Sequence, residues 1–383
     1  MGPYARQRAV DRIAELSRRG LDLVAFWREA TDAIASAVPF YATPCFYTMD
    51  PASLLVTSHY HDGLPEIPSE WLALEYYDED FNKMADVARS ERRVATLHDA
   101  TAGDVRRSAR YRLSMEPLGG EQEAIAGLCT RSGEIWGALA LYREPGQRLF
   151  DATELAFMRE ISMHLAEGAR RGLLVGEASD PEGPEAPGLL VLDDGWEIES
   201  LTPGVESWLA ELPGGWEETG KLPAAVLAVA GRALRTAEHP SSPGEIAFAR
   251  VLSRSGRWIV LHGTSLVSDG RRRVAVIVEP AHPARITPLL MAAYGLTERE
   301  QEVTRLVLQG DSTSQIAERL SLSPHTVQEH LKNVFEKTGV RSRRDLVGKV
   351  FFSHYEPRLR ENEERVTHGQ PIRGGPVPLN PAT

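Results

Sequence analysis

Residues 296–346 read LTEREQEVTRLVLQGDSTSQIAERLSLSPHTVQEHLKNVFEKTGVRSRRDL, and capping chemistry alone locates four helix starts in that stretch. Thr297 with Glu300, and Ser312 with Gln315, make the box in which each partner satisfies one orphan amide of a helix start. Ser323 is followed by Pro324 at the first helical position, where a missing N–H costs nothing, and Ser342 is followed at the third position by Asp345. Behind each cap runs one apolar face: Val303, Leu306 and Val307, then Ile316, Ala317 and Leu320, then Val327, Leu331 and Val334, then Leu346, Val347 and Val350. One buried stripe per helix predicts a small all-α, four-helix domain, placed at 286–353.

Between the second and third helices, Ser321, Leu322 and Ser323 leave a turn short enough to force a steep crossing, the helix-turn-helix arrangement that exposes the third helix. At roughly 100° per residue from Val327, Leu331 and Val334 stay within about 40° of it. His325, Glu329, Lys332 and Glu336 point away, and Gln328 sits on the shoulder. The chain carries 43 Lys and Arg against 54 Asp and Glu, a net charge of −11, which argues against phosphate binding unless the basic residues cluster. They do cluster here: Lys332, Lys337, Arg341, Arg343, Arg344 and Lys349 outnumber Glu336 and Asp345.

These caps and core positions, with Gly310, Thr326, His330, Lys337, Gly339, Val340 and Arg343, resemble the C-terminal DNA-binding domain of LuxR-type transcription regulators over residues 296 to about 352. The resemblance implies that the third helix enters the major groove of double-stranded DNA. It also implies that the fourth helix mediates homodimerisation, so that the operator has two half-sites. It assigns base-facing positions to Gln328, Glu329 and Lys332. Thr326, His330 and Arg343 would position phosphates, helped by the amides at Ser312, Thr313 and Ser314. Glu329 departs from the family, which more often has an uncharged or basic residue there; a carboxylate can accept from cytosine N4, and Gln328 can pair with adenine.

The chain's 383 residues, at roughly 150 per domain, leave room for two or three cores. The segment 173–187, with Glu177, Asp180, Glu182 and Glu185 among Pro181, Pro184 and Pro187, reads as an acidic linker, and 354–383 as a disordered tail. Upstream of the linker, helical spacing predicts an N-terminal helix in 1–21, a break at Gly20 and a second helix through Leu23, Phe26, Trp27, Ala30 and Ile34. Strands follow at 45–49, 54–60, 125–130 and 135–142, the last pair joined by a turn at 131–134, then a long helix capped by Asp151 with Glu154. This order, with Trp136, Gly137, Ala138, Leu139, Leu141 and Arg143, resembles an α+β GAF domain over 22–172. GAF domains are sensory modules that bind small molecules or only dimerise, and both readings stay open.

Downstream of the linker, strands at 189–192 and 196–199, helices at 203–212 (capped by Thr202) and 223–238, and strands at 245–252, 257–266 and 272–279 resemble an α+β PAS domain over 188–282. Asp193 and Asp194 also resemble the acidic pair of a phosphoryl-receiver domain. The phosphorylatable Asp expected some 45 residues on is missing, which disfavours that alternative.

Trp71, Tyr76, Tyr77, Asp80 and Asn82 combine aromatic walls with polar tips, so they are the candidate contacts for an unidentified small-molecule effector. Trp71 with Asp86 only loosely matches the pair that holds an acyl-homoserine lactone in autoinducer-binding domains. His59, His61 and His98 lack the spacing of haem or metal ligands, and Cys45 and Cys129 read as buried small hydrophobes, so no cofactor is expected. No nucleophile elbow, Walker loop or dinucleotide fingerprint occurs, so no enzymatic activity is expected. No apolar run reaches the roughly 18 residues of a membrane span, and Arg6, Arg8, Asp11 and Arg12 exclude a signal-peptide core, so the expected location is the cytoplasm.

Overall fold

The computed structural model describes residues 3–61, 70–174, 187–214, 221–239, 246–268, 271–281, 283–352 and 367. The expected linker and tail therefore lie outside the described residues, apart from residues 173, 174, 187 and 367. The chain divides into two compact units: Met1–Val175, Ala186–Arg254 and Ile259–Glu279 make the first, and Gly176–Glu185, Ser255–Trp258 and Pro280–Thr383 the second.

The first unit begins with α1 (Pro3–Leu16) and α2 (Leu23–Ala35), the latter capped by the Asp22 carboxylate accepting from the Ala25 amide at 2.9 Å. There follow β1 (Tyr41–Met49), β2 (Val56–Tyr60), α3 (Glu70–Tyr77), α4 (Met84–Arg89), β3 (Val94–Thr96) and α5 (Leu97–Ala100). Three short helical turns then lead to the hairpin of β4 (Gln122–Cys129) and β5 (Ile135–Arg143) and to α6 (Ala152–Gly172). The hairpin pairs Ile125 with Ala140 and Leu128 with Gly137, and the sheet runs β2-β1-β5-β4-β3. The expected box at α6 is formed, with the Asp151 carboxylate accepting from the Thr153 and Glu154 amides and Glu154 accepting in return from the Asp151 amide.

A second sheet is built from β6 (Gly188–Leu192), β7 (Ile198–Leu201), β8 (Phe248–Leu252), β9 (Trp258–Ser268) and β10 (Arg271–Pro280), with α7 (Val205–Glu211) and α8 (Ala224–Glu238) between β7 and β8. Its order, β7-β6-β10-β9-β8, repeats the first sheet's permutation of chain order. Thr202 is not the cap of α7. Gly204 holds that position at φ +83°, and the Thr202 hydroxyl accepts instead from the Leu189 amide at 2.8 Å, tying the start of β6 to the end of β7.

One hydrophobic cluster runs through both sheets of this unit, from Cys45, Val56 and Ile125 through Leu72, Leu227 and Val229 to Leu261 and Val276. α3 and α8 form its centre. They approach so closely that a Cβ on Gly231 would lie 2.1 Å from the Ala73 carbonyl oxygen, which is why no larger residue fits there.

The second unit comprises α9 (Pro283–Ala293), α10 (Glu298–Leu308), α11 (Thr313–Arg319), α12 (Pro324–Thr338) and α13 (Arg343–Phe352). α9 had no sequence signal strong enough to be expected, because Pro288 lies inside it and no capping residue precedes it. Val303, Ile316, Val327, Leu331, Val334 and Leu346 are all buried in one cluster, to which the first three expected helices bring their apolar faces. The fourth brings Leu346 alone among the described side chains: Val347, expected on the buried stripe, is 39% exposed, because it follows Leu346 by one position, about 100° further round the helix.

Candidate nucleic-acid interface and the cavity of the first unit

In the first unit a cavity of about 40 Å³ opens between the sheet and the turns that precede β4. Trp71 from α3 and Tyr47 from β1 form an edge-to-face corner with ring centroids 5.8 Å apart. Arg110, Ser114 and Met115, around a single π-helical turn at Tyr111–Met115, close the opposite side, and Glu123, Ala140 and Tyr142 supply the sheet wall.

A buried ionic group backs this cavity. Arg110 donates to Glu123 at 2.7 Å and lies 3.6 Å from Glu75, with all three side chains less than a tenth exposed. Burial pushes the Glu75 carboxyl up to about 7, against the opposing pull of Arg110 and of the Met84 amide, which donates to it at 2.6 Å. Burial also raises Glu123 above the usual carboxylate range, again partly offset by Arg110.

Of the candidate effector contacts, Trp71 lines the cavity. The Tyr76 hydroxyl is instead engaged with the backbone of the β1–β2 turn, accepting from the Val56 amide and donating to the Leu54 carbonyl. Tyr77 donates to Glu238 of α8 at 2.9 Å. Asp80 accepts from the Ser108 hydroxyl and the Arg110 amide, so it organises the wall from behind. Asn82 sits at φ +53° beside that loop. Sequence reasoning missed Arg110, Ser114 and Glu123, because nothing in their spacing marks residues from a turn and a strand as neighbours. His59 and His61 stack at 5.3 Å, and desolvation together with the neighbouring His61 lowers His59 to about 4, so His59 carries little charge near neutrality.

In the second unit the capping boxes are formed as spaced. The Thr297 amide donates to Glu300 at 2.7 Å and the Ser312 amide to Gln315 at 2.8 Å, while Ser323 accepts from the Thr326 amide at 3.0 Å. The turn between α11 and α12 closes with Ser321 at φ +54° and the Leu322 amide on the Ala317 carbonyl, and Arg299 braces it by donating to the Leu320 carbonyl at 2.8 Å. α12 ends at Gly339, whose φ of +70° supplies the left-handed cap.

Lys337 ties the end of α12 back to the start of α10, donating to Glu300 at 2.6 Å. Burial pushes Glu300 up, but Lys337 and the Thr297 amide outweigh it and hold the carboxyl below its usual range.

Gln328, Glu329, Lys332, His325 and Asn333 are exposed along α12, opposite buried Val327, Leu331 and Val334. Gln328, Lys332, Arg341 and Arg343 line one shallow cleft together with Thr313 and Phe335. Arg343 is held at its edge, donating to the Asp311 carbonyl at 2.6 Å and to the Thr313 hydroxyl at 3.0 Å. Thr326 shares a 2.8 Å bond with Ser323, Ser312 and Ser314 are exposed, and His330 is half-buried.

The model of the family described as bacterial regulatory proteins, luxR family, matches residues 295–350. The C-terminal domain is therefore a luxR-family domain. Over 52 residues, 14% of this chain, it is 52% identical to a Mycobacterium tuberculosis protein named as an HTH-type transcriptional regulator, of which the match spans 6%. Over 56 residues, 15% of the chain, it is 41% identical to the monoamine regulon transcriptional regulator of Klebsiella aerogenes, of which it spans 25%. The chain thus matches only a small part of the length of these relatives. A phycoerythrobilin-bound GAF domain from a cyanobacterial phytochrome aligns with 44% of this chain and 96% of its own at 17% identity and a TM-score of 0.28. At that score the likeness carries no weight beside the sheet order itself.

In the luxR-family domain, Arg341 lines the cleft but was not among the expected site residues, because it lies beyond the helix end, where the 100° rotation no longer predicts direction. No helix among the described residues is long and apolar enough to cross a membrane, and no group of three or more His, Cys, Asp or Glu among them is arranged to hold a metal ion.

Proposed function

We propose that the chain is a cytoplasmic DNA-binding transcription regulator. Its luxR-family domain would read a two-half-site operator as a homodimer, under the control of a signal received by the sheet-bearing unit. The observation that carries this reading is the hydrophilic face of α12: Gln328, Glu329 and Lys332 are exposed on a helix whose opposite face is fully packed. A helix rigidly held by caps at one end and by the Lys337–Glu300 bond at the other can present that face to base edges without first being ordered. The cleft bearing Lys332, Arg341 and Arg343 supplies the positive charge that a chain of net charge −11 otherwise lacks.

In the sheet-bearing unit, the identical order of the two sheets and the helices between their second and third strands support a GAF-like domain at 22–172 and a PAS-like domain at 188–282. The cavity beside Trp71 favours a bound effector over a purely dimerising role. An effector that prefers one state of this unit would shift the population competent to bind DNA.

Fluorescence anisotropy of the full chain with duplex fragments from a random-sequence selection tests the reading. Binding should strengthen steeply from 200 to 50 mM salt and should converge on a symmetric motif, because phosphate contacts set the salt slope and paired helices set the symmetry. Failure to retain any duplex at low salt would refute it.

A further inference from the structure

We propose that the cavity bounded by Trp71, Tyr47, Arg110 and Ala140 is a binding site for a small, uncharged, planar molecule carrying a hydrogen-bond acceptor, which takes its bond from Arg110 Nε. The inference rests on the reading that the sheet-bearing unit receives a signal, and it names the chemistry of that signal.

Size sets the first limit. A void of about 40 Å³ holds two or three water-sized groups at roughly 10–15 Å³ each, so a single ring fits with a small outward movement of its wall. The wall that would move is the turn Tyr111–Met115, which carries Ser114 and Met115 on the cavity side and, as a single π-helical turn, is of a kind frequent at functional sites.

Charge sets the second limit. The terminal nitrogens of Arg110 are already engaged with Glu123, Glu75 and the Phe81 carbonyl. An anion would have to displace Glu123 and would then face two buried carboxylates. A cation could pair with Glu123 only by displacing Arg110 from it, and could offer no acceptor.

Arg110 Nε, however, has no acceptor among the described residues; it is fully buried behind the void, so the outward movement of the turn that follows it is what brings a ligand's acceptor within reach. A buried donor left unmade is costly, so a neutral acceptor gains a hydrogen bond without moving any charge. Two hydroxyls at the rim already donate, Ser114 to the Arg110 carbonyl and Tyr41 to the Leu118 carbonyl. The edge-to-face corner of Tyr47 and Trp71 provides the flat apolar surface that a planar ring stacks against.

The test uses the full chain at pH 7.5 with five ring-sized probes: 2-pyridone and pyrazine as neutral acceptors, benzene with no acceptor, benzoate as anion and benzylammonium as cation. Calorimetric titration and thermal melting should show saturable binding of 2-pyridone or pyrazine, at least tenfold tighter than the other three. Ala140→Phe, which fills the void from the sheet, should abolish that binding while the empty protein still melts as one transition. If Ala140→Phe fails to fold, Met115→Trp fills the void from the opposite wall and gives the same readout.

Binding of no probe, equal binding of benzene, preference for either ion, or undiminished binding in the filled variant would each overturn the proposal. The anisotropy titration contains no probe, so retention of DNA binding in the face of such a result would leave the regulator reading standing and remove only this one.

Discussion

Arg250 of β8 grips Asp50 at the end of β1 with three donors: its backbone amide and Nε reach Oδ2 at 2.9 and 2.8 Å, and a terminal nitrogen reaches Oδ1 at 2.5 Å. Asp50 is wholly buried and the Arg250 side chain 7% exposed, so the pair joins the two sheets in an environment that would not tolerate either charge alone. Asp50→Ala should therefore cost about 3–5 kcal/mol in urea denaturation, mostly from the stranded guanidinium. Replacing both partners, as Asp50→Leu with Arg250→Met, should recover most of that loss. A single Asp50→Ala substitution costing under about 1 kcal/mol, the range of an exposed pair, would show that the bridge is not desolvated.

Gly231 makes the second join between the sheets, since its α-carbon faces the Ala73 carbonyl where a Cβ would lie at 2.1 Å. Backbone cannot rotate aside as a side chain can, so Gly231→Ala must separate α3 from α8. The expected cost is about 1–3 kcal/mol of stability, the range of core overpacking, even though alanine is the better helix former. Hydrogen exchange should localise the loss to α3 and α8; uniform acceleration across the luxR-family domain would contradict the mechanism.

Legibility in the sequence followed the range of the interactions. Thr297, Ser312, Ser323 and Asp151 announce helix starts because a cap and its partner lie within three residues, and each is formed where spacing placed it. The exposure of Gln328, Glu329 and Lys332 followed from helical rotation for the same reason. Residues that meet across the fold leave no such trace: Asp50 and Arg250 are separated by 200 positions, and Arg110 reaches Glu123 from a turn with no periodicity. The three-residue β3 is too short to alternate, and Thr202, a good cap by type, was diverted because Gly204 could adopt the left-handed entry to α7.

Glu75 should give the first unit a pH-dependent stability of definite sign. Burial raises its folded pKa to about 7, above the ordinary 4.5, so between those values the folded state binds the extra proton. Stability contributed by the protonated form is then present at low pH and is lost as pH rises through about 7. Glu75→Gln keeps an oxygen for the Met84 amide and removes the titration. Thermal melts of the variant between pH 5 and 8 should lose the downward slope of the parent; an unchanged slope would assign it to another group.

Lys332 and Glu329 share the exposed face of α12 but should fail differently when removed. Lys332→Ala deletes a charge, so the full chain should bind every duplex more weakly and its log–log salt slope should fall by about 1. Glu329→Ala deletes an acceptor and a repulsion together. On the cognate site it should cost about 1–3 kcal/mol through the lost base contact, while affinity for random duplex holds or rises because a negative charge has left the phosphates' neighbourhood. Competition titrations against a site altered at one base pair at a time distinguish the two. If Glu329→Ala weakens all sequences equally, the carboxylate supports the helix and does not read a base.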